Sequence, residues 1–130
     1  MEILIVDDDK FVRRVLKEAF AEEDMTCHEA DNGLEALRLA REVHPDAVIL
    51  DVMLPGLDGY KICRMLKYDE NFADISIVMV TSRARQSDRD TGYHTGADRY
   101  ITKPFKPEEV VAAVKELKGS ATGAELRDDG

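Results

Sequence analysis

Short apolar runs alternate along this chain with segments in which apolar residues recur at helical spacing. The runs at residues 3–6, 47–50 and 75–80 are rich in isoleucine, valine and leucine and are too short for helices. Runs that are apolar on both faces are typical of strands buried in a parallel sheet. We predict two further strands. One is a half-exposed edge strand at residues 25–28, where polar and apolar residues alternate, and the other ends at residues 100–101.

The segments that follow the strands are predicted to be helices. The first helix has a single apolar stripe, made of Phe11, Val12, Val15, Leu16, Ala19 and Phe20. The second begins at Asn32, which forms a capping-box pattern with Glu35, and ends near Pro45. The third follows a turn rich in proline and glycine, and its apolar positions are Tyr60, Ile62, Cys63 and Leu66.

The last two predicted helices differ in how firmly they are anchored. The fourth, at residues 83–95, has few apolar positions beyond Ala84 and Tyr93, so we expect it to shift easily between two states. The fifth begins at Pro107, where a missing N–H costs nothing, and Gly119 is expected to end it. Residues 119–130 would then form a flexible tail or the start of a linker.

The predicted order of elements is βαβαβαβαβα, with five strands and five helices. This alternation indicates an α/β fold with a parallel sheet, helices on both of its faces and right-handed crossovers. A length of 130 residues is that of one domain and is sufficient to bury a core. Cys27 and Cys63 lack metal-ligand spacing, and we expect them to be buried free thiols in a reducing compartment.

The charge of the chain argues against two classes of function. There are 27 acidic and 18 basic residues, which give a net charge of −9. Nucleic acids and anionic membranes attract basic surfaces, so we expect no direct binding to nucleic acid or to a membrane. No apolar run approaches the roughly 20 residues of a membrane helix, and the first residues do not resemble a secretory signal. We therefore expect a cytoplasmic protein.

Polar residues follow four of the five predicted strands, where ligands bind in open α/β sheets. They are, in chain order, Asp7, Asp8, Asp9, Asp51, Thr81, Ser82 and Lys103. Crowded carboxylates repel one another unless a cation joins them. Mg²⁺ suits a site of oxygen ligands in which the metal also contacts a phosphoryl group. With Lys103 and Thr81 holding the phosphoryl oxygens, Asp51 would be free to act as a nucleophile and form an aspartyl phosphate.

Each of these residues taken alone also has a purely structural interpretation. An acidic triplet after a strand is commonly a solvated turn or a helix N-terminus, and a lysine before proline is commonly a surface residue. The coincidence of four strand ends that supply the groups for one reaction favours a functional site. Within the triplet, Asp9 is expected to begin the first helix and to point away from that site.

The sequence resembles the receiver domains of two-component response regulators and is similar to the single-domain chemotaxis regulators. The matching segments are ILIVDDD at residues 3–9, LDVMLPGLDG at 50–59, VTS at 80–82, TGAD at 95–98 and YITKPF at 100–105. The likeness spans about residues 2–118. It implies a flavodoxin-like, doubly wound sheet with strand order 2-1-3-4-5 and five helices. The receiver domain would comprise residues 1–118, and 119–130 would be the tail.

The resemblance also implies a role for each matching residue. Asp51 would be the phosphoacceptor, and it would bind Mg²⁺, or Mn²⁺ in its place, together with Asp7, Asp8 and the backbone carbonyl of Met53. The residues that would respond to the phosphoryl group are Thr81 as the switch hydroxyl, Tyr100 as the switch aromatic and Lys103 as the phosphate contact. The peptide bond between Lys103 and Pro104 is expected to be cis.

A receiver of this kind would take its phosphoryl group from a sensor histidine kinase or a histidine phosphotransfer protein and then change conformation. It would catalyse its own phosphorylation and slow dephosphorylation without being a turnover enzyme. A downstream partner would bind the face made by the fourth predicted helix, the fifth strand and the fifth helix, and phosphorylation would also be able to drive a dimer. The sequence fits both a stand-alone regulator and the first domain of a longer one.

Three other functions are weighed against this one. A phosphatase of the haloacid-dehalogenase type would have a second aspartate two residues after the nucleophile, whereas Val52 and Met53 follow Asp51. A dinucleotide-binding domain would have a GxGxxG motif after the first strand, and there is none. A scaffold that only binds other proteins stays open, and it differs from a receiver in showing no Mg²⁺-dependent phosphorylation.

Overall fold

A computed structural model of the chain describes residues 1–82 and 96–129, with side chains up to residue 119. The strands in this part of the chain are β1 (Glu2–Val6), β2 (Thr26–Ala30), β3 (Ala47–Asp51), β4 (Ser76–Thr81) and β5 (Arg99–Thr102). The helices are α1 (Lys10–Ala21), α2 (Gly33–Val43), α3 (Gly59–Lys67) and α4 (Pro107–Asp129). The helix predicted at residues 83–95 lies outside the described residues.

The five strands form one parallel sheet in the order β2-β1-β3-β4-β5. This order confirms the predicted fold, including the edge position of β2. Asp51, the last residue of β3, lies opposite Val80 of β4, and Thr81 lies opposite Thr102 of β5. Because all the strands run in the same direction, the residues that follow them meet at one edge of the sheet.

Apolar side chains form a core on each face of the sheet. Leu4 and Val6 of β1 pack on the face covered by α2 and α3, whereas Ile3 and Ile5 pack on the face covered by α1 and α4. All five residues of the central strand β3 are buried. Each fully buried leucine or isoleucine contributes about 1.5–3 kcal/mol to folding, so the strand that ends in Asp51 is held firmly.

Side-chain caps mark the starts of α1, α2 and α3. Asp9 accepts a hydrogen bond from the Phe11 N–H at 2.9 Å, and Asn32 and Asp58 cap α2 and α3 in the same way. Each such cap is worth about 1 kcal/mol because it satisfies an N–H group that has no partner within the helix. The prediction that Asp9 begins the first helix is confirmed, and so is the prediction that Asn32 begins the second.

Two local predictions about the helices are corrected. Phe11 is 69% exposed, because the first turn of α1 lies beyond the end of β1 and no sheet surface remains to cover it. Gly119 does not end the last helix, which continues to Asp129. Each of the two glycines in this stretch, Gly119 and Gly123, costs about 1 kcal/mol of helix stability, and the stretch also includes three good helix formers, Ala121, Ala124 and Leu126. The proposed boundary between domain and tail stays a prediction.

The two cysteines differ in burial. Both cysteines are free as predicted, and Cys63 is buried, but Cys27 is only half-buried because it lies on the edge strand β2. Burial raises the pKa of the Cys27 thiol to about 11.

None of the helices in the described part of the chain has the length and apolar character needed to cross a membrane.

Gly59 lets α3 begin directly against the end of β3. A Cβ atom at this position would lie 2.3 Å from the carbonyl oxygen of Asp51 and 2.8 Å from the Cα of Val52. The Gly59 N–H also donates to the Val52 carbonyl at 3.0 Å. Because both obstructing atoms belong to the backbone, a side chain at residue 59 would have to displace the strand end that carries Asp51.

We predict that Gly59→Ala lowers the free energy of unfolding by about 1–3 kcal/mol, the usual cost of forcing extra atoms into a packed site. The matched control is Gly119→Ala, because a Cβ atom at that position meets nothing within 4 Å. This control should be neutral or stabilise the chain by up to about 1 kcal/mol through helix propensity. Urea unfolding followed by circular dichroism measures both changes. Equal effects for the two variants would contradict the role given to Gly59.

Candidate functional site

Three carboxylates meet at the carboxyl edge of the sheet. Asp7 directly follows β1, Asp51 ends β3, and one oxygen from each of Asp7, Asp8 and Asp51 lies within 4.8 Å of the other two. Asp7 is 3% exposed and Asp51 is 5% exposed, whereas Asp8 faces solvent. The cluster therefore has a buried floor and one open side through which a ligand can enter.

Lys103 brings a positive charge into this cluster from β5. Its backbone N–H donates to the carbonyl of Thr81 at 2.7 Å, which extends the pairing of β4 with β5 by one residue. Its ammonium group lies 2.9 Å from Asp7 Oδ2 and 3.4 Å from Asp51 Oδ2. The peptide bond between Lys103 and Pro104 is cis, as the resemblance implies. The predicted meeting of Asp7, Asp51 and Lys103 is thus observed.

Backbone N–H groups hold the other oxygen of each buried carboxylate. Asp7 Oδ1 accepts a hydrogen bond from the N–H of Asp9 at 2.9 Å, and Asp51 Oδ1 accepts one from the N–H of Met53 at 3.1 Å. Each carboxylate is therefore held at one oxygen by the turn that follows it and at the other by Lys103. Groups held in this way need little rearrangement when a ligand arrives.

The protonation of the site follows from burial and from these contacts. Burial, and after it the charge of Asp7, raises the pKa of Asp51 to about 6, although the Met53 N–H and Lys103 oppose the rise. Burial by itself would lower the pKa of Lys103, but its hydrogen bond with Asp7 and the charges of Asp51 and Asp7 outweigh burial and raise it. At pH 7 the site therefore holds an ionised Asp51 beside an ammonium group.

The donor atoms in the cluster fit a hard divalent cation. All three candidate ligands are carboxylates, and such oxygen donors are preferred by Mg²⁺ and Mn²⁺. Three carboxylates and one ammonium group leave two negative charges, which one divalent ion would balance. The exposed side at Asp8 leaves room for the water molecules that Mg²⁺ retains.

The remaining predicted site residues differ in burial and in their place on the strands. Thr81 is fully buried at the end of β4, one residue beyond the partner of Asp51, whereas Ser82 is exposed. Tyr100 is half-buried on β5 and packs against the core beneath α2 and α3. Met53 follows Asp51 closely and its side chain is 53% exposed. The metal contact of the Met53 carbonyl and the switching roles of Thr81 and Tyr100 stay predictions.

Sequence reasoning missed one residue of the site, Arg13. Its Nη1 donates to the carbonyl oxygen of Asp7 at 2.7 Å, and its Nε donates to Glu29 of β2 at 3.1 Å. A signal was present in the sequence. Helical side chains lean towards the N-terminus of their helix, so a long basic residue one turn after the cap Asp9 can reach the strand end.

The raised pKa of Asp51 makes stability depend on pH when no metal is bound. As the pH rises from about 4 to above 6, the unfolded chain loses this proton before the folded chain does, so the free energy of unfolding falls. We predict that Asp51→Asn, which lacks the charge, is more stable than the wild type at pH 7.5 in EDTA by about 1 kcal/mol. Urea unfolding at pH 4 and 7.5 tests this. A difference that does not shrink at pH 4 would contradict it.

Comparison with known proteins places this site in a family. The family model described as "Response regulator receiver domain" matches residues 3–115. The chain is 43% identical over 116 residues to the transcriptional regulatory protein SrrA of Staphylococcus aureus, an alignment that covers 89% of this chain and 47% of SrrA. The chain thus spans about half the length of the curated relatives it matches.

Solved structures agree with this assignment. A putative response regulator from Chloroflexus aurantiacus superimposes with a TM-score of 0.84 at 36% identity, covering 89% of this chain and 95% of that one. The BeF3-activated receiver domain of DrrB, a Thermotoga maritima protein, gives a TM-score of 0.83 at 34% identity and covers 91% of this chain and 97% of that one. By sequence, fold and the arrangement of its acidic site, the chain belongs to the response regulator receiver domains of two-component systems.

Proposed function

We propose that this receiver accepts a phosphoryl group on Asp51, with Mg²⁺ bound, from a sensor histidine kinase or a histidine phosphotransfer protein. The observation that carries the proposal is the setting of the Asp51 carboxylate. It is buried, held at Oδ1 by the Met53 N–H, and placed 3.4 Å from the Lys103 ammonium and beside the carboxylates of Asp7 and Asp8. A fixed, ionised carboxylate is a competent nucleophile for phosphorus.

In the proposed step, a carboxylate oxygen of Asp51 attacks the phosphorus of the donor. The new bond joins that oxygen to phosphorus, while the bond from phosphorus to the donor nitrogen or oxygen breaks and its electron pair leaves with the donor. Lys103 stabilises the charge on the transferring oxygens, and the buried Thr81 hydroxyl lies at the neighbouring strand end. No side chain of the receiver has to accept a proton during the transfer.

Asp7, Asp8 and Asp51 would hold the metal, with the backbone carbonyl of Met53 as a further proposed ligand. Mg²⁺, or Mn²⁺ in its place, would supply a positive charge that stabilises the oxygens of the transferring group. The ammonium group of Lys103 now contacts Asp7 at 2.9 Å, and in the phosphorylated protein it would contact the phosphoryl group instead. The acid pair and the lysine thus have separate tasks in the proposal.

The product would be a labile acyl phosphate. Attack of water on phosphorus would break the bond to the Asp51 oxygen and return the carboxylate and inorganic phosphate, so that the signal decays. In this proposal the chain acts on itself and is not a turnover enzyme. Met53 occupies the position, two residues after Asp51, where a haloacid-dehalogenase phosphatase would carry its second aspartate, which favours the receiver over that alternative.

The proposal extends to the output of the receiver. SrrA is named a transcriptional regulatory protein, and the DrrB receiver was solved in a BeF3-activated form. We propose that this chain, which is strongly acidic, signals through another protein or domain in the cytoplasm and does not itself bind DNA. The proposed binding face includes β5 and α4, which is the fifth of the predicted helices. An ion pair between Arg99 and Glu116, at 2.7 Å, joins these two elements. The same face would serve a phosphorylation-linked dimer.

We predict that the chain gains one phosphoryl group when it is treated with acetyl phosphate and Mg²⁺ or Mn²⁺. Asp51→Asn should abolish the gain, because an amide is not a competent nucleophile. Asp8→Ala should slow phosphorylation and weaken metal binding without unfolding the chain, since removing one crowded carboxylate also relieves repulsion. Intact mass spectrometry measures the gain. A modification that persists in Asp51→Asn, or that forms equally well in EDTA, would rule out the proposed function.

The proposed switch depends on Thr81 and Tyr100. Thr81 lies one residue beyond Val80, the partner of Asp51 in the sheet, and opposite Thr102, whose strand β5 also carries Tyr100. We propose that the phosphoryl group draws the Thr81 hydroxyl towards it and that the Tyr100 ring then turns inward. Residues 83–95, which connect these two strands, have few apolar positions, and the proposal makes this segment the element that shifts.

Thr81→Ala should separate phosphorylation from switching. We predict that this variant gains the phosphoryl mass at no less than about a tenth of the wild-type rate, because general positioning by Lys103 and metal remains. The NMR signals of the Tyr100 ring should shift on phosphorylation in the wild type and stay unchanged in Thr81→Ala. Ser82→Ala, which removes the adjacent exposed hydroxyl, is the matched control and should behave as the wild type. Identical Tyr100 shifts in all three proteins would refute the switch.

A further inference from the structure

Arg13 connects three parts of the protein beside the acidic site. It lies in the first turn of α1, its Nη1 donates to the carbonyl of Asp7 at 2.7 Å, and its Nε donates to Glu29 of β2 at 3.1 Å. Only 15% of its side chain is exposed. A long basic side chain confined in this way is held by its contacts and is not free to sample solvent.

The contact falls where β1 ends. The N–H of Asp7 still donates to Ala30 of β2 at 3.1 Å, whereas its carbonyl accepts from the guanidinium group. That carbonyl belongs to the peptide unit that joins Asp7 to Asp8. Fixing it therefore limits the rotation of the backbone between the two carboxylates that the proposed function assigns to the metal.

We infer that Arg13 is a positioning residue for the metal site, which holds the peptide unit between Asp7 and Asp8 so that both carboxylates face one divalent cation. The inference rests on the proposed function. Arg13 itself would touch neither the metal nor the phosphoryl group. Glu29 of β2 helps to hold the guanidinium group in place, because its carboxylate accepts from the Arg13 Nε at 3.1 Å.

Two possible roles of Arg13, as a positive charge and as a positioning residue, predict opposite changes in metal affinity when it is removed. If Arg13 acted only through its positive charge, its removal would strengthen the binding of a cation nearby. If it acts by holding the peptide unit, its removal should weaken binding, because partners that orient metal ligands commonly contribute about 10–100-fold to metal affinity. The direction of the change in Kd therefore separates the two roles.

Lys17 offers a matched control on the same helix. It also pairs with Glu29, at 3.4 Å, but its side chain is 55% exposed. The ammonium group of Lys17 donates to Glu29, whereas the carbonyl of Asp7 accepts from Arg13. Lys17→Gln thus removes the same charge and the same Glu29 partner as Arg13→Gln while leaving the hold on the peptide unit intact.

The experiment measures the Kd of Mn²⁺ for the unphosphorylated full chain by electron paramagnetic resonance. Arg13→Gln should raise the Kd about tenfold, and Lys17→Gln should leave it unchanged or lower it. Arg13→Lys keeps the charge but has no fork that can bind two acceptors, so its Kd should rise about threefold. It serves as the second variant if Arg13→Gln does not fold, which urea unfolding in EDTA establishes.

A Kd for Arg13→Gln that is equal to or lower than that of the wild type would overturn the inference. For Arg13→Lys, an unchanged Kd would do the same. The wild type is first tested for phosphoryl gain from acetyl phosphate. Absence of that gain would refute the proposed function, whereas the Mn²⁺ measurement still decides whether Arg13 positions the acid pair.

Discussion

One ammonium group between two buried carboxylates is the contact on which the rest of the site depends. Asp7 and Asp51 are almost completely buried, and like charges in such a place would destabilise the fold if nothing compensated them. Lys103, which directly follows the edge strand β5, supplies that compensation. Its ammonium group lies 2.9 Å from Asp7 and 3.4 Å from Asp51. The contact joins three strand ends that are far apart in sequence.

The remainder of the structure keeps these strand ends in place. The central strand β3 is buried along its whole length, so Asp51 lies at the end of a rigid element. Gly59 allows α3 to begin directly against the carbonyl of Asp51, and Asp9 caps α1 while its N–H holds Asp7. Packing thus fixes the backbone, and hydrogen bonds from the turns fix the carboxylates.

Compensation by Lys103 is incomplete, and this matters for function. Burial, and after it the charge of Asp7, keeps the pKa of Asp51 raised in spite of Lys103. Three carboxylates against one ammonium group also leave the site short of positive charge. A centre of this kind gains stability when a divalent cation or a ligand carrying one arrives. The same feature that costs the metal-free protein stability therefore gives the proposed site its affinity for the metal.

Much of this protein could be predicted from its sequence because the relevant patterns are local. Runs such as residues 47–50 indicate buried strands, alternation with helices indicates a parallel sheet, and a parallel sheet brings the strand ends to one edge. The motifs around Asp7, Asp51, Thr81 and Lys103 also carry the family resemblance. The sequence by itself therefore determined the fold, the strand order and the meeting of Asp7, Asp8, Asp51 and Lys103 at one edge of the sheet.

Other properties depended on contacts between distant residues, and only the tertiary structure decided them. The exposure of Phe11 depends on where β1 ends beneath α1, which the helical period does not report. The need for glycine at residue 59 arises from a close approach of α3 to β3, and the hold of Arg13 on Asp7 requires α1, β1 and β2 to be packed together. A linear pattern states which face of an element is apolar, but distances between elements are set by packing.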